Sequence, residues 1–462
     1  MTIWFDVEDL FEYARTVSRP SGIQRLSYEL YAAVRALDPA AIGFVRHDRP
    51  AGTMRVLDWA EVEAIYSGMA HTRAPSSAAA VPVQARRLSD VAGLRFLAAR
   101  LPREVAQPLG EAARAQLGAL RSLWRAARAA PGAMSRPRPA AASEAPSDAG
   151  GRLHADLREV ARAGDILAAF GSPWSFGDYS NTVGRITAAT GMRFAMLVYD
   201  LIPVARPEFC DRGLVQVFDR FVRGCLPLAD TALAISEATA RDIVAWSTRE
   251  GVPLRSAPHP IPIGTGFTHF TPAPVLPPGL SAGGYALFVS TIEARKNHIL
   301  AFRAWRRLLE ELPADQVPTL VFAGRTGWMV ADLMQQIQNA AHLGGKLVHV
   351  ESPDDATLAA LYQGARFTLF PSLYEGWGLP VSESLSFGKV CLAASTTSVP
   401  EAGGEFCLYH DPDSVTDAVA LYRRAITEPG LIPSLEARID AEHRPTPWSA
   451  TARAVLDALA PG

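Results

Sequence analysis

The sequence predicts an α/β protein: two Rossmann-like, doubly wound and mostly parallel sheets that face each other across a cleft. Three observations predict it. The chain has 462 residues, 48% of them apolar and 20% charged, enough for two or three domains with ordinary cores. Its second half alternates short apolar runs with helical patterns over short connections. Its first half repeats that alternation more loosely, around one segment of different composition.

The second half is the clearer. "YALFVST" (285–291) reads as a buried strand and precedes the helix "NHILAFRAWRRLLEEL", with Ile299, Phe302, Trp305 and Leu309 on one face. Then come "TLVFAG", "ADLMQQIQNAA", "KLVHVES", "ATLAALYQGA", "FTLF", "PVSESLSFG" and "VCLAAS", strand and helix in turn. The second domain is expected over 283–440.

In the first half, "TIWFDV" opens as a strand. "SGIQRLSYELYAAVRAL" follows as an amphipathic helix, with Ile23, Leu26, Leu30, Ala33 and Leu37 at helical spacing and Ser21 or Gly22 at its start. "DILAAFGS" and "RFAMLVYDLIP" read as buried strands. "DTALAISEATARDIVAW" reads as a strand running into a helix with Ser236 as N-cap. The first domain is expected over 1–268, interrupted at about 70–150 by an Ala-, Arg- and Pro-rich insert. Residues 81–140 hold eleven arginines against three acids, in a chain whose net charge is −2. "SRPRPAAASEAPSDAGG" reads as a disordered linker. "PIPIGTGFTHFTPAPVLPPGLSAGG" reads as an inter-domain hinge. The last segment, 441–462, reads as a helix that packs back on the first domain, with Trp448 as its anchor.

Bulk properties exclude several classes. A net charge of −2 gives no global reason to expect a nucleic-acid binder. Cys210, Cys225, Cys391 and Cys407 form no C-x-x-C pair, so they suggest neither a zinc site nor a disulfide scaffold, and read as small buried residues. The first residues, "MTIWFDVEDLF", lack the basic start of a signal peptide, and no apolar run is long enough to span a bilayer. The expectation is a cytoplasmic protein.

One stretch carries chemistry: "PSLYEGWGLPVSESLSFGK", 371–389, directly after "FTLF". In open α/β sheets, ligands bind where strand ends lead into helices. Gly376 and Gly378 allow a tight turn and close backbone approach. Pro380 suits a first helical turn. The free N–H groups around Gly378 and Leu379 make an anion site. Glu375 sits at the strand end and Glu383 one turn into the helix, both facing the cleft and able to accept from hydroxyls. A molecule with a phosphate in the middle and polyhydroxylated ends fits that pattern, as a nucleotide sugar does. The E-x7-E spacing alone is weak, since Glu428 and Glu436 repeat it with nothing else in support.

"LFPSLYEGWGLPVSESLSFGKVCLAASTTSVPEAGG" resembles the donor-site signature of glycosyltransferase family 4, the retaining nucleotide-sugar transferases of the GT-B fold. The resemblance runs through the second half, from "YALFVSTIEARKN" by "AGRTGW" and "LYQGA" to "YHDP". It is fainter at "RPSGIQRLSYEL", "YDLIPVARPEF" and "AISEATARDI". The insert has no counterpart. The resemblance implies that Glu375 contacts the donor sugar near the reacting centre, that Glu383 holds the ribose hydroxyls, and that Lys296 neutralises the diphosphate. A cation aimed at a leaving diphosphate stabilises the charge that develops there. It further implies that Gly22, in the first loop, lies near the donor phosphates or the acceptor. Asp200 falls at a strand end facing the cleft, where the family often has His-Asp. Tyr199 replaces that histidine, so either its hydroxyl makes the contact or the contact is lost. Where many members carry an arginine before the lysine, this chain reads Ser290-Thr291, and Arg295 or Arg325 is the candidate substitute. Asp-x-Asp metal signatures are not read at the strand ends, which fits a metal-independent transferase with no other cofactor expected.

The reaction so implied is a front-face transfer of a hexose or deoxyhexose, mannose- or rhamnose-like, to a glycan or lipid-linked acceptor in surface polysaccharide synthesis. No nucleic acid is expected as partner. Within the insert, Leu117, Leu120 and Trp124 form a stripe beside Arg114, Arg121, Arg125 and Arg128, an amphipathic pattern able to lie on an anionic membrane face. That would place the protein peripherally on the inner face of the membrane. The competing expectation is a non-catalytic GT-B partner or glycan-binding subunit.

Overall fold

A computed structural model of the chain describes residues 1–16, 22–70, 154–265 and 275–460. The expected insert at about 70–150 and the middle of the expected hinge lie outside the described residues, as do Ser21 and the arginine-rich pattern. The rest forms two sheets. The first comprises β1 (Ile3–Asp6), β2 (Ile42–Asp48), β3 (Thr53–Leu57), β4 (Ile166–Ala169), β5 (Arg193–Val198), β6 (Thr231–Ala234) and β7 (His259–Pro260), in the order β3-β2-β1-β4-β5-β6-β7. All neighbours run parallel except β3, an antiparallel edge strand paired to β2 from Phe44↔Leu57 to Asp48↔Thr53. The second comprises β8 (Tyr285–Val289), β9 (Thr319–Ala323), β10 (Leu347–Val350), β11 (Phe367–Phe370), β12 (Cys391–Ala394) and β13 (Leu408–His410). It is wholly parallel, in the order β10-β9-β8-β11-β12-β13. Both orders are doubly wound, and each has a switch point, between β1 and β4 and between β8 and β11.

The central strands form because they are short apolar runs covered on both faces. β4, β6, β11 and β12 are buried at every residue. The helix His298–Glu311 covers one face of the second sheet. Phe302 and Trp305 sit at the centre of its buried stripe, as their spacing predicts. Its flanks are Ala301 and Leu308, while Ile299 and Leu309 are only partly buried. The Trp305 indole is satisfied inside the core by donating to the Pro318 carbonyl at 2.9 Å.

Ser236 caps Glu237–Glu250, its hydroxyl accepting from Thr239 N at 2.9 Å. The closing helix, Trp448–Leu459, packs against Gly22–Leu37, and Ala452, Val455 and Leu459 join the core of the first sheet. Trp448 lies over Gly264, where a Cβ would meet its ring at 2.4 Å.

Three features differ from the sequence reading. The β2–β3 hairpin was not legible, because Arg46, His47 and Asp48 interrupt its apolar run. β7 has two residues, too short to leave a pattern. Cys225, Cys391 and Cys407 are buried, but Cys210 is only half-buried and lines the cavity described next.

Candidate active site

A cavity of about 610 Å³ opens between the two sheets. Its wall includes Gly22, Tyr199, Asp200, Thr291, Arg295, Lys296, Arg325, Glu375, Gly376, Gly378, Leu379 and Glu383. These residues are far apart in sequence, and topology brings them together. The loop after β8 carries Thr291, Arg295 and Lys296, and the loop after β11 carries Glu375 to Leu379. β8 and β11 are hydrogen-bonded neighbours at the switch point, so their loops emerge side by side.

Glu375 is the electrostatic centre. Only 7% exposed, its carboxylate would be costly to bury alone. Oε1 accepts from Lys296 Nζ and from Ser372 Oγ, each at 2.5 Å. Oε2 lies 2.8 Å from Arg295 Nη1. Burial pushes the Glu375 pKa up, but Arg295 and then Lys296 outweigh it and hold the carboxyl down at about 2. Lys296 is 15% exposed, so it is not the solvated lysine that a helix start would ordinarily present. Burial and the neighbouring Arg295 lower its pKa, against the pull of Glu375. The Glu375 backbone is held too: its N–H donates to Thr397 Oγ1 at 3.0 Å, and Ser398 Oγ donates to its carbonyl at 3.0 Å.

The two candidate arginines have different roles. Arg295 braces protein to protein: Nη1 also donates to the Tyr374 carbonyl at 2.5 Å, and Nη2 donates to Glu293 Oε1 at 2.8 Å. Its fork is spent, which argues against Arg295 as a substitute diphosphate ligand. Arg325 is exposed, lines the cavity, and has no side-chain partner among the described residues.

The Gly-Trp-Gly turn fits its backbone demands. A Cβ on Gly376 would lie 1.9 Å from the Tyr199 carbonyl oxygen, so only glycine lets the two halves meet there. Gly378 has φ +117 and precedes the helix Leu379–Ser386. Pro380 has no N–H and Val381 N donates to the Gly378 carbonyl at 2.9 Å, which leaves the N–H of Leu379, a residue of the cavity wall, as the open donor of that first turn. Glu383 sits one turn on. The Tyr362 hydroxyl donates to its Oε2 at 2.8 Å. Burial raises its pKa, opposed by Tyr362 and by Arg25. Arg25 comes from the first half and also pairs with Asp355 at 2.8 Å.

From the first half, Gly22 approaches Leu379, whose Cδ1 would lie 3.7 Å from an added Cβ. Asp200 lies two residues after β5 and accepts from Ile202 N at 3.0 Å. Burial raises its pKa, with Arg295 opposing. Of the two alternatives for Tyr199, the geometry favours the lost contact. Its hydroxyl donates to the Phe170 carbonyl at 2.5 Å inside the first core, and its backbone faces the cavity. Cys210 has its thiol pushed up to about 11 by burial, then by Asp200.

Sequence reasoning missed the residues that hold the others. Glu293 and Ser372 bind Arg295 and Glu375, yet each looked like a loop residue. Tyr362 was present in "LYQGA" but had no sign of pointing at Glu383. Among the described residues, no group of three His, Cys, Asp or Glu is placed to hold a metal ion.

Residues 282–441 match the family model described as glycosyl transferases group 1. O-antigen chain mannosyltransferase B of Escherichia coli is 27% identical over 228 residues, covering 48% of this chain and 58% of the relative. The serotype-specific mannosyltransferase WbdA of Escherichia coli is 27% identical over 208 residues, covering 42% of this chain and 25% of the relative. The chain thus spans between a quarter and three fifths of the length of these relatives. Among solved structures, an alpha,alpha-trehalose-phosphate synthase from Burkholderia xenovorans superposes with a TM-score of 0.49 at 13% identity, over 66% of this chain and 75% of that one. Lys296, Glu375 and Glu383 all lie within the matched segment.

The Glu375 environment sets a pH dependence. A carboxyl depressed from 4.5 to about 2 adds stability that is complete above 4.5 and lost as pH falls toward 2. The full contribution is about 3 kcal/mol. Urea unfolding at pH 5 and pH 3 should show wild type losing more stability than Glu375→Gln over that interval. Equal losses would contradict the depressed carboxyl.

Proposed function

We propose that the protein is a retaining, metal-independent glycosyltransferase. It would move a hexose or deoxyhexose from a nucleoside-diphosphate sugar to a glycan or lipid-linked acceptor. The observation that carries this reading is the side-by-side placement of Lys296 and Glu375 at the switch point. Beside them are a helix start and, one turn further, the half-buried acid Glu383. A diphosphate over the Gly-Trp-Gly-Leu turn would meet the Leu379 N–H, the Lys296 ammonium and the unpaired Arg325. As the sugar–phosphate bond loosens, charge grows on the leaving diphosphate, and fixed cations with oriented dipoles stabilise it. Glu383 would accept from the ribose hydroxyls. Glu375 would sit by the sugar, its position fixed by Arg295 and Ser372 rather than by substrate. Positioning within a cleft that excludes water supplies much of the remainder. The O-antigen and WbdA relatives carry the word mannosyltransferase in their names, which supports mannose among the hexoses.

A second reading has one observation in its favour. The Tyr199 hydroxyl, where the resemblance implies a histidine near the donor sugar, is bonded to Phe170 and offers that sugar nothing. On this reading the chain is a non-catalytic partner or glycan-binding subunit.

No helix among the described residues is long and apolar enough to cross a membrane. The proposed location is cytoplasmic, with peripheral contact through the insert. Wild type should co-sediment with anionic vesicles and a deletion of 75–148 should not. Equal binding would remove the contact.

A thermal-shift screen with UDP, GDP, ADP, dTDP and their sugars, with and without EDTA, tests the main reading. One nucleotide should stabilise wild type, keep its effect in EDTA, and lose it in Glu383→Ala. Its sugar should release diphosphate slowly. No shift with any nucleotide at millimolar concentration would favour the partner reading.

A further inference from the structure

We infer that Glu401 is a positioning residue, whose carboxylate on the N-terminus of Glu237–Glu250 locks the first half of the protein against the loop that carries Glu375. The helix belongs to the first half, and Glu401 to the second. Its Oε2 accepts from Glu237 N at 2.7 Å and its Oε1 from Ala238 N at 2.8 Å. A helix leaves its first N–H groups without intrahelical partners. Here the third of them, at Thr239, is taken by the helix's own cap, Ser236, and the first two by a carboxylate from the other half. The positive end of the helix dipole favours that charge. Arg241, one turn along, lies 3.7 Å from the same carboxylate.

Two further observations connect this contact to Glu375. The segment leading into Glu401 holds the Glu375 loop: Thr397 Oγ1 accepts from Glu375 N, and Ser398 Oγ donates to the carbonyls of Glu375 at 3.0 Å and Trp377 at 2.9 Å. Thr397 has φ +48, an unusual conformation for a β-branched residue, kept only where its surroundings impose it. The same first-half helix also touches the loop on both sides of Glu375. Asp242 accepts from the Tyr374 hydroxyl, and Thr239 Oγ1 lies 3.4 Å from the carbonyls of both Gly376 and Tyr199. Glu401, Tyr374 and Gly376 therefore grip one helix around the residue whose placement matters most. Glu383, Lys296 and Arg325 lie in the second half and outside the 372–378 loop, so the grip acts on nucleotide binding only through the turn and through Glu375.

Hydrogen exchange on the full chain tests the coupling without any assumption about activity. In Glu401→Gln, which keeps one acceptor oxygen, and in Glu401→Ala, exchange across 372–378 should quicken, about tenfold in the alanine variant, while β8 and β9 stay protected. Unchanged exchange in that loop, or loosening shared equally by β8 and β9, overturns the inference. The turnover experiment rests on the proposed function. There, Glu401→Ala should lower kcat by about 100-fold, while the nucleoside-diphosphate Kd, which draws on the same turn, weakens by no more than about tenfold. A kcat that does not move, or one that falls only in step with Kd, also overturns it. A wild type that binds no nucleoside diphosphate would sink the proposed function instead, and the exchange result would still decide the role of Glu401.

Discussion

A buried carboxylate between two cations organises the second half of this protein. Glu375 could not stay ionised at 7% exposure without Arg295 and Lys296 against its two oxygens. Those partners reach it only because β8 and β11 are neighbours at the switch point. The constraint propagates outward. Arg295 must be oriented, so Glu293 is buried beside it. The Glu375 main chain must be fixed, so Thr397 and Ser398 bond it on both sides. The turn must meet the first half closely, so position 376 must be glycine.

The first sheet has a counterpart at its own switch point. Asp9, after β1, accepts from Ser172 N at 3.0 Å after β4 and from Ser172 Oγ at 3.1 Å. Burial pushes Asp9 up to about 6, with the Asp6 charge adding to it and the Ser172 bonds opposing. Among the described residues, no cation answers Asp9 as Lys296 answers Glu375. The two halves share a topology but not a charge scheme, and the cations that would suit a diphosphate lie mainly in the second half.

Much of this was legible in the sequence, for physical reasons. Strands such as "FTLF" are continuous apolar runs because both faces are covered, and the helices between them keep helical spacing. The turn glycines and the helix start at Leu379 follow from local backbone chemistry. The side chains that do the holding were not legible. Tyr362 and Glu401 act through partners 21 and 164 residues away, and nothing in their local spacing encodes that distance; Glu293 and Ser372 hold partners two and three residues off, but through side-chain directions that a loop sequence does not encode. Arg295 and Arg325 looked equivalent as charges. Only the three-dimensional arrangement separates a guanidinium spent on Glu293, Tyr374 and Glu375 from one left open to the cavity. Tyr199 was ambiguous for the same reason, since its hydroxyl partner, Phe170, is 29 residues away.

The central claim is that Glu383 holds the ribose of a nucleotide whose diphosphate lies over the neighbouring turn. Isothermal titration of the stabilising nucleoside diphosphate and its 2′,3′-dideoxy analogue, on wild type and Glu383→Ala, addresses it most directly. The account predicts that wild type binds the dideoxy analogue at least about tenfold more weakly, the loss expected for hydrogen bonds to a carboxylate. In Glu383→Ala that difference should vanish. The same penalty in both proteins would contradict the account and place the ribose elsewhere.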